Sequence, residues 1–231
     1  MTVRAWMLCT VATLTLSSCA SWTAQHPAEA DDVPMAPRAL FQPQRSHLPM
    51  TMPPVATMLS PNQNSRKGSP ITTIVLHHTA SAASAVAIAK YFQRRDAQVS
   101  SHYVVDRDGS IIRCVPEAAR AWHAGPSAFE GVSNVNDYSI GIELCNIGDG
   151  IEPYPVAQTA AVTQLVASLV KRYGIPLSRV TRHRDVALPH GTKIDPSDNF
   201  DFSGVVVTAG GMLAGDQVTA TMEVTGGESQ L

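Results

Sequence analysis

The sequence predicts an α/β fold: a single domain with a mixed, mostly central β-sheet covered by helices. Three observations predict it. Strand-length β-branched runs interleave with segments of 3.6-residue apolar period. One pair of strands is joined by an Asp-Gly turn, a hairpin signal. The 231 residues, 44% hydrophobic and 16% charged, suit one ordinary core with segments left over.

Taken in order, the chain opens on MTVRAWMLCTVATLTLSSCA, where Arg4 precedes an apolar run from Ala5 to about Leu16. That run is too short to span a bilayer comfortably and ends in small residues, so residues 1–19 read as a signal peptide. Leu16-Ser17-Ser18-Cys19 resembles the lipobox of bacterial lipoproteins, which implies lipidation of Cys19; the alternative is an ordinary signal peptide with a chance cysteine. Residues 20–67 are rich in Pro, Ser, Gln, Met and Ala without helical or alternating period, and are expected to form a flexible tether.

Ordered structure is expected over 68–206. ITTIVLHH (71–78) is a strand, and SAASAVAIAKYFQRRD (81–96) a helix turning Val86, Ala89 and Tyr91 or Phe92 to the core. Strands at about 102–106 and 111–115 flank Asp108-Gly109, and SIGIELC (139–145) is a fourth strand. Val162, Leu165, Val166, Leu169 and Tyr173 mark one face of a helix from near Pro155 to Gly174, and VTRHR (180–184) is a fifth strand. The Gly- and Thr-rich tail, 207–231, is expected to be disordered or weakly strand-like.

A formal net charge of -2 argues against nucleic acid as a partner. The four cysteines lack CxxC spacing, which excludes a zinc ribbon; only Cys114 and Cys145 could pair after processing, and buried free thiols are the commoner state in such apolar runs.

Of eight histidines, five (His77, His78, His102, His123, His183) fall at strand ends or in a Trp-His-Ala-Gly loop. Each alone is ordinarily a structural residue. Together with Asp195 of Lys193-Ile194-Asp195-Pro196, His77 and His183 offer three N and O ligands from separate elements, the number that suits a catalytic zinc with a position left for water. His78 competes with His77, because alternation along a strand aims the two side chains at opposite faces.

IVLHHTA, SSHYVVDRDGSIIRCVPE, AWHAG, NDYSIGIELCN and TRHRDVALPHGTKIDP, in this order over about residues 70–203, resemble the type 2 N-acetylmuramoyl-L-alanine amidases, whose fold peptidoglycan recognition proteins share. The resemblance implies Zn2+ held by His77, rather than His78, with His183 and Asp195. It implies Glu143 of IGIEL as general base and Lys193 as the cation that stabilises the oxyanion, and it puts Trp122, His123 and Gly125 of WHAG in the loop lining the substrate groove. The substrate implied is peptidoglycan or its muropeptides, cut at the amide between the lactyl group of N-acetylmuramic acid and L-alanine.

Elementary chemistry agrees with these roles. An amide is a poor electrophile and water a weak nucleophile, and zinc addresses both. A carboxylate in the otherwise apolar GIEL run requires a partner or a task. Lys193, without Asp195 nearby, would read as a solvated loop cation, and Trp122 could be core packing. Asn136-Asp137 is expected to fix a turn. Asp185 either holds His183 in its ligating tautomer or pairs with Arg182 or Arg184.

Two other functions stand beside the amidase: a non-catalytic peptidoglycan-binding module of the same fold, and a zinc peptidase cutting within the stem peptide, for which no HExxH motif exists. The lipobox, followed by Ala20 rather than aspartate, points by resemblance to lipid anchoring in the outer membrane facing the periplasm. A monomer is expected.

Overall fold

The computed structural model describes residues 52–226, with side chains through residue 216. The expected signal peptide, Cys19 and most of the expected tether lie outside the described residues. No helix among the described residues is long and apolar enough to cross a membrane.

In chain order the elements are β1 (Val55–Thr57), β2 (Gln63–Ser65), β3 (Thr73–His78), α1 (Ala85–Phe92), β4 (Tyr103–Val105), β5 (Ile111–Arg113), β6 (Ala119–Ala121), β7 (Ala128–Phe129), β8 (Val132–Ser133), β9 (Ser139–Leu144), α2 (Val156–Tyr173), β10 (Val180–Arg182), α3 (His183–Val186) and α4 (Phe202–Gly226). The main sheet runs β1-β5-β4-β9-β3-β10. Its pairs are parallel except β4 with β5, the hairpin expected around Asp108-Gly109. Gly109 adopts φ +86°, and a Cβ there would stand 2.7 Å from the Ala157 carbonyl oxygen, so the turn admits only glycine on two counts. This is the mixed, helix-covered sheet that the interleaving predicts.

Strand alternation sorts the two central strands into faces. Ile74 and Leu76 of β3 and Ile140, Ile142 and Leu144 of β9 pack with Val162, Leu165, Val166 and Leu169 of α2 in the main core. Val75 belongs to a separate cluster with Ala124, Val135, Tyr138 and Val186. His77 and Glu143, two residues on from Val75 and Gly141, therefore share the face opposite α2. The helix α2 ends as expected at Gly174, whose φ of +63° provides the left-handed cap, with its N–H bonded to the Val170 carbonyl.

Four expectations are corrected. Order begins well before residue 68: β1 pairs with β5 and β2 with β6, so the last part of the expected 20–67 tether is built into the domain. Three-residue, largely exposed strands carry almost no periodicity, which is why composition suggested a linker. The core face of α1 is Ala85, Ala89 and Phe92, while Val86 and Tyr91 are each 46% exposed; small alanines leave the helical phase ambiguous. His183 opens a short helix instead of continuing the last strand. The expected disordered tail is helical in α4 as far as Gly226. Its Val205 and Ala209 are buried in the main core, and tertiary packing there overrides the weak helix propensity of Gly, Thr and Val.

Candidate active site

Parallel pairing of β3 with β9 sets His77 directly beside Glu143, and pairing of β3 with β10 brings the chain to His183 one residue after Arg182. A loop then returns to Asp195. The Nδ1 atoms of His77 and His183 lie 3.1 and 2.9 Å from Asp195 Oδ2. One donor atom from each of the three residues lies within 4.8 Å of the others, and all three residues are buried. Tetrahedral zinc with bonds of about 2.0–2.1 Å requires neighbouring donors roughly 3.3 Å apart, so this donor set fits the ion.

The remaining ring nitrogens are occupied within the protein. His183 Nε2 lies 3.3 Å from the Ala124 carbonyl oxygen, which turns Nδ1 toward Asp195. His77 Nε2 lies 3.0 Å from His123 Nδ1, and His123 Nε2 lies 3.1 Å from Ser139 Oγ. Such outer partners fix ring orientation and tautomer. Burial, opposed by the hydrogen bond to Asp195, lowers His77 to about 4, so its imidazole is neutral at physiological pH. Burial works against ionising Asp195, yet hydrogen bonds from His183 and His77 together hold its carboxyl far below the ordinary range.

Glu143 is the exception among these satisfied groups. Its Oε2 is buried and has no hydrogen-bond partner. Burial first, and then the charge of Asp195, push it up to about 8 against the pull of Lys193. Residues His77, Glu143, His183, Lys193, Asp195 and Trp122 all line one open cleft of about 710 Å³, whose other wall is the apolar side of α1 and the turn after it, including Ile88, Tyr91 and Val99. A carboxyl with one buried, unpaired oxygen, a cation and a metal-competent donor set thus face a common space large enough for a sugar-peptide fragment.

The geometry also separates His77 from its neighbour. His78 also borders the cleft but lies outside the donor set: its Nδ1 accepts from Ser197 N–H at 3.2 Å and lies 3.2 Å from Tyr154 Oη. Of the WHAG loop, Trp122 and His123 line the cleft and Gly125 does not. Gly125 adopts φ +55° in an exposed bend, so its freedom of backbone conformation is what that position uses. His123 has both nitrogens engaged by His77 and Ser139, and Gly141 must lack a side chain because a Cβ would come within 2.4 Å of the His123 ring. Asn136 secures the loop rather than a turn of its own, accepting from the His123 and Ala124 N–H groups at 3.1 and 2.9 Å. Asp185 pairs with Arg182 at 2.7 Å and leaves His183 to the Ala124 carbonyl. Cys114 and Cys145 are free, buried thiols pushed up to about 12 by burial. Sequence reasoning missed Asn64, whose Oδ1 accepts from the Trp122 indole N–H at 2.7 Å, because it lies in β2.

The family model described as N-acetylmuramoyl-L-alanine amidase matches residues 67–198. The chain belongs to this amidase family. Among its relatives is the 1,6-anhydro-N-acetylmuramyl-L-alanine amidase AmpD of Enterobacter cloacae, 38% identical over 105 residues, which are 46% of this chain and 54% of that protein. Another is the N-acetylmuramoyl-L-alanine amidase AmiD of Escherichia coli K12, 41% identical over 106 residues, covering 40% of this chain and 38% of that one. The chain spans about half the length, or less, of these curated relatives. Among solved structures, a selenomethionine AmpD derivative superposes with TM-score 0.58 at 26% identity over 69% of this chain and 96% of that chain. Escherichia coli AmiD in complex with its substrate anhydro-N-acetylmuramic acid-L-Ala-D-gamma-Glu-L-Lys superposes with TM-score 0.53 at 33% identity over 64% of this chain and 60% of that chain.

Proposed function

We propose that this amidase-family domain is a zinc-dependent N-acetylmuramoyl-L-alanine amidase that hydrolyses the amide between the lactyl group of N-acetylmuramic acid and the L-alanine of the stem peptide. One observation carries the reading: the unpartnered Glu143 oxygen lies in the same cleft as the His77, His183 and Asp195 donors. A non-catalytic binding module would have no use for a buried carboxyl oxygen without a partner, which costs about 1–3 kcal/mol. The relatives named above, amidases by name, and the muropeptide bound to Escherichia coli AmiD support the choice of bond and substrate.

His77, His183 and Asp195 would hold the zinc. When bound, the ion supplies Lewis acidity, polarising the amide carbonyl and making water reactive near neutral pH. Glu143 Oε2 takes a proton from the attacking water and returns it to the departing nitrogen of L-alanine, the two transfers open to a carboxyl facing the reacting groups. The Lys193 ammonium places positive charge beside the oxygen that becomes negative in the tetrahedral state. Trp122, fixed by Asn64, forms a flat wall against which a sugar ring can rest.

The decisive measurement is mass spectrometry of muropeptides digested by wild type and by Glu143→Ala. An amidase releases an intact stem peptide beginning with alanine, and the variant retains zinc while losing most turnover. Cleavage inside the stem peptide, or none with zinc bound, would overturn the reading.

The lipobox supports a second part of the proposal: Cys19 is lipidated and the chain is held at the outer membrane facing the periplasm. Unchanged membrane fractionation of Cys19→Ala would refute it.

A further inference from the structure

Seven consecutive exposed residues, 188–194, lead into the buried Asp195. No apolar side chain in that stretch anchors it, with Ile194 itself 63% exposed. A carboxylate at the end of such a run needs another source of order, and Arg184 provides one. Its backbone N–H donates to the Asp195 carbonyl at 3.1 Å. Its guanidinium donates to the Ile194 carbonyl and to the Pro196 carbonyl. One residue thus holds three successive carbonyls, those on either side of the candidate ligand and the ligand's own. The same arginine follows His183 directly in sequence, so it ties the return of the loop to the element bearing the second imidazole.

We propose that Arg184 is the positioning residue for Asp195, fixing the loop so that its carboxylate meets His77 and His183. This inference rests on the metal-site reading above. The planar guanidinium fork reaches two carbonyls from fixed directions, whereas a lysine ammonium is a single flexible point charge. The competing explanation is a surface ion pair with Asp198, which Arg184 also contacts. The Asp198 side chain is 91% exposed, however, and an exposed pair of this kind contributes little.

The test compares Arg184→Ala, Arg184→Lys, Asp198→Ala and Arg182→Ala in the full chain. Zinc affinity is measured by chelator competition, the ligand field by the visible spectrum of the cobalt(II)-loaded protein, and folding by the thermal midpoint of the chelated protein. Both Arg184 variants are expected to bind zinc about 10- to 100-fold more weakly and to show altered cobalt bands, the loss typical of outer-shell supports. Asp198→Ala and Arg182→Ala, which removes the neighbouring surface cation, should match wild type on both readouts. A folded Arg184 variant with wild-type zinc affinity and an unchanged cobalt spectrum overturns the inference. So does an Asp198→Ala loss equal to that of Arg184→Ala, and so does the absence of any folded Arg184 variant. A wild-type chain that takes up no zinc overturns the metal-site reading itself, a result distinct from all of these.

Discussion

The two flanks of the cleft are built in different ways. On one side, His77 and Glu143 are neighbours in the backbone ladder of two central parallel strands, all but one of whose residues are buried. Their juxtaposition follows from register, and a one-residue slip of either strand would turn its residue to the opposite face and part the two. On the other side, Lys193 and Asp195 sit on a loop whose approach is wholly exposed, and side-chain hydrogen bonds to its carbonyls hold it. The strand flank is ordered by the cooperative core and the loop flank by a few polar contacts, so local substitutions should disturb the second more selectively than the first.

The largest effect that would break this contrast is loss of a ligand from either flank. His77→Ala and Asp195→Ala are each expected to reduce zinc from about one per chain to near zero and to abolish dye release from stained cell walls; retention of full zinc by either would remove that residue from the donor set. Next, Glu143→Ala should keep its zinc and lower kcat by about 10²- to 10⁴-fold. Lys193→Ala, on the loop flank, should lower kcat by about 10²-fold with a smaller change in KM, measured on a soluble muropeptide. Gly141→Ala probes the strand flank through packing: the added methyl meets the His123 ring, and denaturant unfolding should show a destabilisation of about 1–3 kcal/mol.

The smallest effect concerns pH. In the zinc-free protein, the Glu143 carboxyl ionises at about 8 in the fold and near its ordinary value of 4.5 when unfolded. The folded state therefore binds this proton more tightly, and the associated stability is complete below pH 4.5 and lost as pH rises toward 8. Glu143→Gln removes the loss. Its thermal midpoint should equal that of wild type at about pH 4 and exceed it by a few degrees at pH 8 in the presence of chelator. Equal midpoints at both pH values would show that the carboxyl is not disfavoured by its surroundings.

Much of the strand flank was legible in the sequence. ITTIVLHH and SIGIEL are continuous apolar runs of strand length, as buried parallel strands should be, and α2 announces both its apolar face and its glycine stop. The candidate site residues stood out by their company and by the family resemblance, since each histidine alone is ordinarily structural. What periodicity could not reveal lay in short or weakly patterned pieces. β1 and β2 have three residues each, so no alternation can be counted, and Asn64 was hidden with them. The helix α4 is rich in Gly, Thr and Val, which favour helix poorly, and its packing against α2 offsets them. Local sequence also could not assign the nitrogens of His123, since its partners, His77 and Ser139, are 46 and 16 positions away.

Arg66 gives the ordered N-terminal segment a practical meaning. It lies one residue before the stretch matched by the family and is 6% exposed. Its guanidinium donates to the carbonyls of Glu117, Asn136, Asp137 and Ser139 and lies 2.8 Å from His102 Nε2. Anyone excising this domain for fusion to a targeting module, or trimming it for crystallisation, would find the conventional family boundary an unsafe place to cut. Removal of Arg66 would strip donors from four carbonyls at once, and the portable unit has to include Arg66 together with β1 and β2 upstream of it.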